Sequence, residues 1–233
     1  MTRKQIKNDQ FVTLVDRWAH WMGQNWKQAA IGLGGALAVA LVYWAVSAFV
    51  GGRSAAAATA LSTAVETYSA PVGSDAPADA RIKFGTDTER LDAAEKALKA
   101  VASKYWLTSQ ARYAKLYLAH IAADRGDTAA AIRLLGELAS RRSDNPIVRV
   151  ATLDLIRLRI AKGEGQQLIG DLEAMISGKD PRLPRDVALF ELARMWEKEG
   201  KPAEAAKLYR KLVDDFPESP FRTDAQQRLT AVL

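Results

Sequence analysis

The sequence predicts an all-α chain: a single N-terminal transmembrane helix, then an array of helical hairpins closed by a C-terminal capping helix. Three observations predict it. Residues 29–50, AAIGLGGALAVALVYWAVSAFV, run for 22 positions without a charge. Gly126, Gly163 and Gly200 stand 37 residues apart, each between two stretches of helical period. From Thr88 to the end no strand-like alternation persists. The order is an amphipathic Trp-rich interfacial helix at 1–28, a transmembrane helix at 29–50, a helix plus Pro/Gly linker at 51–87, and a repeat domain at 88–233.

Composition excludes most chemistry. The 233 residues are 48% hydrophobic and 26% charged, which suits a globular chain rather than a disordered one. Zero cysteine removes disulfides, Cys-type zinc sites and thiol catalysis together. Two histidines, His20 and His120, leave almost nothing for a multi-His metal site or a triad. No phosphate loop, H-E-x-x-H or G-x-S-x-G occurs, and the GLGG at 32–35 lies inside the apolar run. Asp214 and Asp215 read as solvated carboxylates at a helix end. The expectation is no catalytic residue, no metal and no cofactor. The net charge of +6 divides unevenly. Residues 1–28 hold five basic and two acidic groups, whereas the other 205 hold 28 basic and 25 acidic. So balanced a main body lacks a nucleic-acid footprint.

The first elements concern a lipid bilayer. On a helical wheel of residues 10–27, Phe11, Val12, Leu14, Val15, Trp18, Trp21, Met22 and Trp26 share one half, and Thr13, Asp16, Arg17, His20, Gln24 and Lys27 the other. Such a helix, capped by Asn8 or Asp9, lies in the interface with Trp18, Trp21 and Trp26 at headgroup level, or docks on a membrane partner. The 22 uncharged residues span roughly 33 Å as a helix. Tyr43 and Trp44 would meet the far interface. A buried core helix would keep a polar stripe, and a cleaved signal peptide would have a shorter lead than 28 residues. Gly32, Ala36 and Ala40 make a small-residue stripe that another helix could approach. Five Lys/Arg precede the span, and only Arg53 follows it before Arg81. The positive-inside rule then expects a cytoplasmic N-terminus and an external C-terminal domain, periplasmic in a Gram-negative bacterium.

After the span comes an Ala-rich helical stretch, 55–69, which either completes the first repeat or extends the span. Residues 70–87 are rich in Pro, Gly and Asp and form a loop. The repeat then follows fixed offsets from each glycine. Eight before stand Leu118, Leu155 and Leu192; seven before, Ala119, Ile156 and Ala193. Five after stand Ala131, Leu168 and Ala205; nine after, Leu135, Leu172 and Tyr209; twelve after, Leu138, Met175 and Leu212. Counting 37 back from Gly126 reaches Glu89, and the downstream offsets give Ala94, Leu98 and Val101. Glycine allows the positive φ that ends the first helix of each hairpin, and small residues flanking it let the two helices pack closely. Asn145-Pro146 and Ser219-Pro220 read as N-cap plus N1 proline, and Pro202 starts the helix after Gly200.

These offsets resemble the tetratricopeptide repeat family. Leu189, Leu192, Ala193, Trp196, Gly200, Ala205, Tyr209 and Pro217 match its pattern, with Leu212 in a place usually held by Ala. Unit 112–145 matches through Leu118, Ala119, Gly126, Asp127, Ala131 and Leu135 and departs at Lys115 and Ala122. Unit 149–182 is degenerate: Leu168 replaces the small residue and Arg159 a large one. Residues 218–233 look like a polar-faced capping helix. The resemblance implies a partner-binding groove lined by the first helix of each unit: Tyr113, Leu116 and His120; Val150, Leu153 and Arg157; Phe190, Arg194 and Lys198. That is an apolar floor with basic rims, unless neighbouring helices cover Leu116, Leu153 and Phe190. Where one branch of the family carries a Lys/Asn clamp for chaperone tails, this chain has Leu116, His120, Asp154 and Glu191, which argues against that ligand.

One anchor plus an external array resembles the ancillary Sec-translocon subunit family of bacterial inner membranes. That likeness implies a non-enzymatic scaffold with protein partners, namely a translocon-like membrane complex and a periplasmic chaperone or client. The alternative is an accessory or assembly subunit of another inner-membrane complex, held mainly through its span and Trp-rich helix.

Overall fold

The computed structural model describes residues 3–73, 77 and 79–232; the side chains of 3–25, 29, 49, 50 and 232 lie outside that description. The chain divides into two compact units, Met1–Arg53 and Ser54–Leu233. Helix α1 (Arg3–Tyr68) contains both the Trp-rich and the uncharged stretches. Its segment Trp26–Tyr68 is long and apolar enough to cross a bilayer, by length and composition. The described side chains of the uncharged stretch, Ile31, Leu33, Leu37, Val39, Leu41, Val42 and Val46 among them, are exposed. Trp26, Tyr43 and Trp44 are exposed as well. Trp18 and Trp21, expected at the interface, fall outside the described side chains.

Among its described residues the second unit holds helices joined by turns and no strand, apart from an isolated bridge between Val72 and Phe84 within the loop before α2. The last part of α1 supplies the first helix of the first hairpin. Its Ala57, Ala60, Leu61, Ala64 and Tyr68 pack on Leu91, Ala94, Leu98 and Val101 of α2 (Asp87–Lys104). Residues 55–69 thus pack on α2 as well as extending the helix that holds the uncharged run. Glu89, found by counting back one period, closes a capping box with Thr86 at the start of α2.

The remaining helices follow in pairs. Helix α3 (Ser109–Asp124) packs on α4 (Thr128–Ala139), and α4 on α5 (Pro146–Ala161). A 3-10 turn, Gly165–Leu168, leads into α6 (Ile169–Ile176). Helix α7 (Arg185–Lys198) packs on α8 (Pro202–Asp215), and α8 on α9 (Arg222–Val232). Gly126, Gly163 and Gly200 take φ of +77°, +86° and +70°. Each ends its helix in the same way. The glycine N–H donates three residues back, and the next N–H donates to the carbonyl five back, as in Asp127 N to Ala122 O at 2.8 Å and Lys201 N to Trp196 O at 2.9 Å. Asn145 caps α5 by accepting from Ile147 N at 3.0 Å, and Pro146 and Pro202 open their helices. Ser219-Pro220 is a correction. Ser219 Oγ does accept from Phe221 N at 3.2 Å, but the chain makes one more turn and α9 starts at Arg222.

The middle hairpin shows what the Ala pairs do. Ala119 with Ala131, and Ala193 with Ala205, are fully buried where α3 meets α4 and α7 meets α8. The same places in the middle hairpin hold Ile156 and Leu168. There α5 touches the 3-10 turn rather than lying along α6, which is only eight residues long. Two large side chains hold the helices apart, and the gap is filled by Ile156, Leu168, Leu172 and Met175 in one core with Leu192 and Met195 of α7. Burying each of these side chains stabilises by about 2 kcal/mol.

Candidate functional site

The groove expected from resemblance does not form as drawn. Leu116 is 5% exposed and packs with Leu135, Leu138, Ile147 and Ala151, between α3, α4 and α5. Phe190 is 3% exposed, its ring stacked on Phe221 with centroids 4.8 Å apart. Leu153 is partly buried against the core of the middle hairpin. All three stand ten residues before a repeat glycine, and each packs on a hydrophobic cluster of the array. Leu116 and Phe190 are core, not floor, and Leu153 is half-buried. Leu, Leu and Phe at one offset carry the apolar signature already seen eight and seven before the glycine, and that signal was there to be read. Tyr113 and Val150 remain exposed, as expected of a surface.

The polar members of the set are brought together, in a pattern the sequence reading missed. His120 Nε2 lies 2.9 Å from Asp154 Oδ2. Arg157 donates to Glu191 Oε1 from Nε at 2.8 Å and from Nη2 at 2.6 Å. Both pairs are 34 residues apart. They join the residue six before one glycine to the residue nine before the next, so each rung ties the first helices of successive hairpins. Upstream, Tyr68 Oη donates to Asp124 Oδ2 at 2.7 Å, and its ring meets Tyr117, which in turn meets His120 edge-on. Asp154 and Glu191 had been read only as departures from a clamp. Complementary polar partners 34 apart, His with Asp and Arg with Glu, carry that signal.

The ladder stops at the C-terminal end. The residue six before Gly200 is Arg194, and the place one rung further on is taken by Arg228, another cation. Both line a cavity of roughly 340 Å³ together with Arg157, Lys198, Glu191 and Glu197. Glu191 is 1% exposed and accepts from Arg157 and, at 3.5 Å, from Arg194. Glu197 accepts from Arg228 at 2.9 Å and from the Tyr209 hydroxyl at 2.8 Å. Burial, then this bond, pushes the Tyr209 hydroxyl pKa up, so it stays a neutral donor. Lys198 Nζ donates to the Ile160 and Ala161 carbonyls at 2.8 and 3.2 Å, at the C-terminal end of α5 where a cation is favoured. Four cations thus surround two carboxylates. The arrangement can take up anionic groups. Among the described residues no cluster of three His, Asp or Glu is placed to hold a metal ion.

Tandem helical hairpins, three of them closed by a left-handed glycine and tied by cross-hairpin polar rungs, define a helical-repeat protein. The chain matches the family described as tetratricopeptide repeat-like domain over residues 19–179, and the tetratricopeptide repeat over 187–219. The first match spans more than half of the chain, so the protein belongs to the tetratricopeptide repeat-like domain family. The matched stretch begins ahead of the uncharged run. Proteins of this repeat class serve as protein-interaction modules, and the repeats suggest such a scaffold here. Among solved structures, a Podosopora anserina putative kinesin light chain with nearly identical TPR-like repeats is 22% identical, with 62% of this chain and 78% of that chain covered and a TM-score of 0.47. A singly substituted form of that same protein gives the same values. No curated protein matches the chain.

Proposed function

We propose that the protein is a membrane-tethered scaffold whose repeat array holds an acidic segment of a partner protein at the end of its polar ladder. The observation that carries this reading is the third rung, where a cation stands in place of the carboxylate of the first two: Arg194, bonded to Glu191, and Arg228, bonded to Glu197 and Asp224, line one cavity with two further cations. A partner's Asp or Glu side chain supplies that carboxylate, and charge-assisted, two-pronged contacts to arginine are the stronger hydrogen bonds available. The uncharged run at 29–50 anchors the chain in a bacterial inner membrane, with the N-terminus cytoplasmic and the array periplasmic. Support comes from its length, its exposed apolar side chains and the excess of basic residues before it. Tethering raises the local concentration of whatever the array holds. The partners that suit this arrangement are a translocon-like complex and a periplasmic chaperone or client. The second reading, a subunit held inside another membrane complex, draws on the exposed small-residue stripe of Gly32, Ala36 and Ala40.

A photo-crosslinker placed at Lys198 in the full chain, in cells, separates the two. On the scaffold reading it captures water-soluble proteins, and Arg194→Glu cuts the yield at least about tenfold. Capture only from a crosslinker at Gly32, and only of membrane proteins, would replace it with the subunit reading.

A further inference from the structure

A second recess, of roughly 370 Å³, lies where α2 hands over to α3 and α4 to α5. It shares no residue with the Arg194 cavity. Buried Leu138 and Ile147 line it together with the exposed Trp106 and the cations Arg112, Lys115 and Arg141. The sequence next to Trp106 explains the exposed indole. The chain turns between α2 and α3 at residues 105–108, where Tyr105 points into the core and Thr108 bonds back to the Tyr105 carbonyl at 2.8 Å while capping α3. Trp106 is thereby turned outward and is 69% exposed. A solvated indole is uncommon, and tryptophan beside arginine is the composition of interface centres.

The charges say what fits. Among the described residues, the Arg112 and Arg141 side chains have no carboxylate partner. Lys115 reaches only Glu137, at a long 3.8 Å, and Glu137 is shared with Arg133 at 3.0 Å. The one acid at the recess is therefore already taken, and two guanidinium groups face an apolar hollow unpaired.

We infer that this recess docks a short acidic segment of a partner protein, with one bulky apolar side chain seated against Trp106 and flanking carboxylates on Arg112 and Arg141. Cations and an indole line one hollow, which a side chain can fill while its flanking carboxylates meet the arginines. Arginine favours planar carboxylates, two bonds at a time. The site stands whether or not the Arg194 cavity binds anything.

The test uses the full chain in nanodiscs of neutral phosphatidylcholine and a fluorescein-labelled hexapeptide, Leu-Phe between pairs of acidic residues, read by fluorescence polarisation. The peptide binds. Trp106→Ala, and Arg112→Glu with Arg141→Glu, each weaken it at least about tenfold. Replacing Leu-Phe by Ser-Ser does the same. A peptide with lysines in place of the acids binds the double charge-reversed variant better than it binds the unaltered chain, which shows that the variant is folded and the contact direct. Absent binding, or binding indifferent to Trp106 and to both arginines, overturns the inference. So does a loss confined to phosphatidylglycerol vesicles with no effect on the peptide, which would assign the surface to lipid.

Discussion

Thr152 is 1% exposed on α5, and its hydroxyl has no hydrogen-bond partner. An unpaired buried hydroxyl costs free energy that a methyl group of the same shape would not. Thr152→Val should therefore stabilise the array by about 1 kcal/mol, read as a raised thermal midpoint; a lowered midpoint would show that the hydroxyl is bonded. Asp180 is the opposite case. It is as deeply buried, yet Arg182 donates to it from Nε and Nη2, at 2.9 and 2.7 Å to Oδ2, and from its backbone N–H at 3.1 Å to Oδ1. Burial pushes the carboxyl up, but the Arg182 contacts and the Arg142 charge more than reverse this, leaving it below the ordinary carboxylate range. A depressed native value means that the bridge contributes stability above the unfolded carboxylate pKa and loses it as pH falls through the native one. Asp180→Asn should cost about 3 kcal/mol at neutral pH and flatten the fall in stability on acidification below about pH 4. An unchanged acid limb would remove the bridge from the account. Neither residue could be singled out from sequence. Burial at 152 and 180 depends on which hairpin lies against them, and local composition does not tell.

At the scale of elements, the repeat offsets were legible because they encode spacing. A helix pair meets closely where Ala faces Ala and stands off where Ile156 and Leu168 meet. The degenerate unit was visible in sequence as Leu168. What was not visible was the remedy, a 3-10 turn and a shortened α6, because it depends on how α7 fills the gap through Leu192 and Met195. Ala205→Leu in the last hairpin, where Ala205 is fully buried, should force α7 and α8 apart and cost about 3 kcal/mol in a denaturant titration. A neutral result would mean that helix spacing is not set at this position. The groove assignment failed for the same physical reason in reverse. Leu116 and Phe190 were placed by family position alone, whereas α4, α5 and the capping helix α9 cover them.

At the scale of the whole chain, period and polarity carry different information. The 37-residue period places the hairpins, and the same period shortened by three residues places the rungs His120–Asp154 and Arg157–Glu191. Two arginines end the series, which is why a partner with carboxylates is the fitting ligand. The uncharged run was legible from length alone, and the asymmetry of basic residues around it makes a definite statement about sidedness. The absence of native cysteine makes that statement directly measurable. Single cysteines at Lys4 and at the exposed Lys211 would be treated with a membrane-impermeant maleimide in intact cells whose outer membrane admits the reagent. A tethered periplasmic array predicts labelling of Lys211→Cys, and labelling of Lys4→Cys only after the membrane is opened. Reaction at Lys4→Cys with protection at Lys211→Cys, or equal reaction at both in a protein that washes off the membrane, would contradict it.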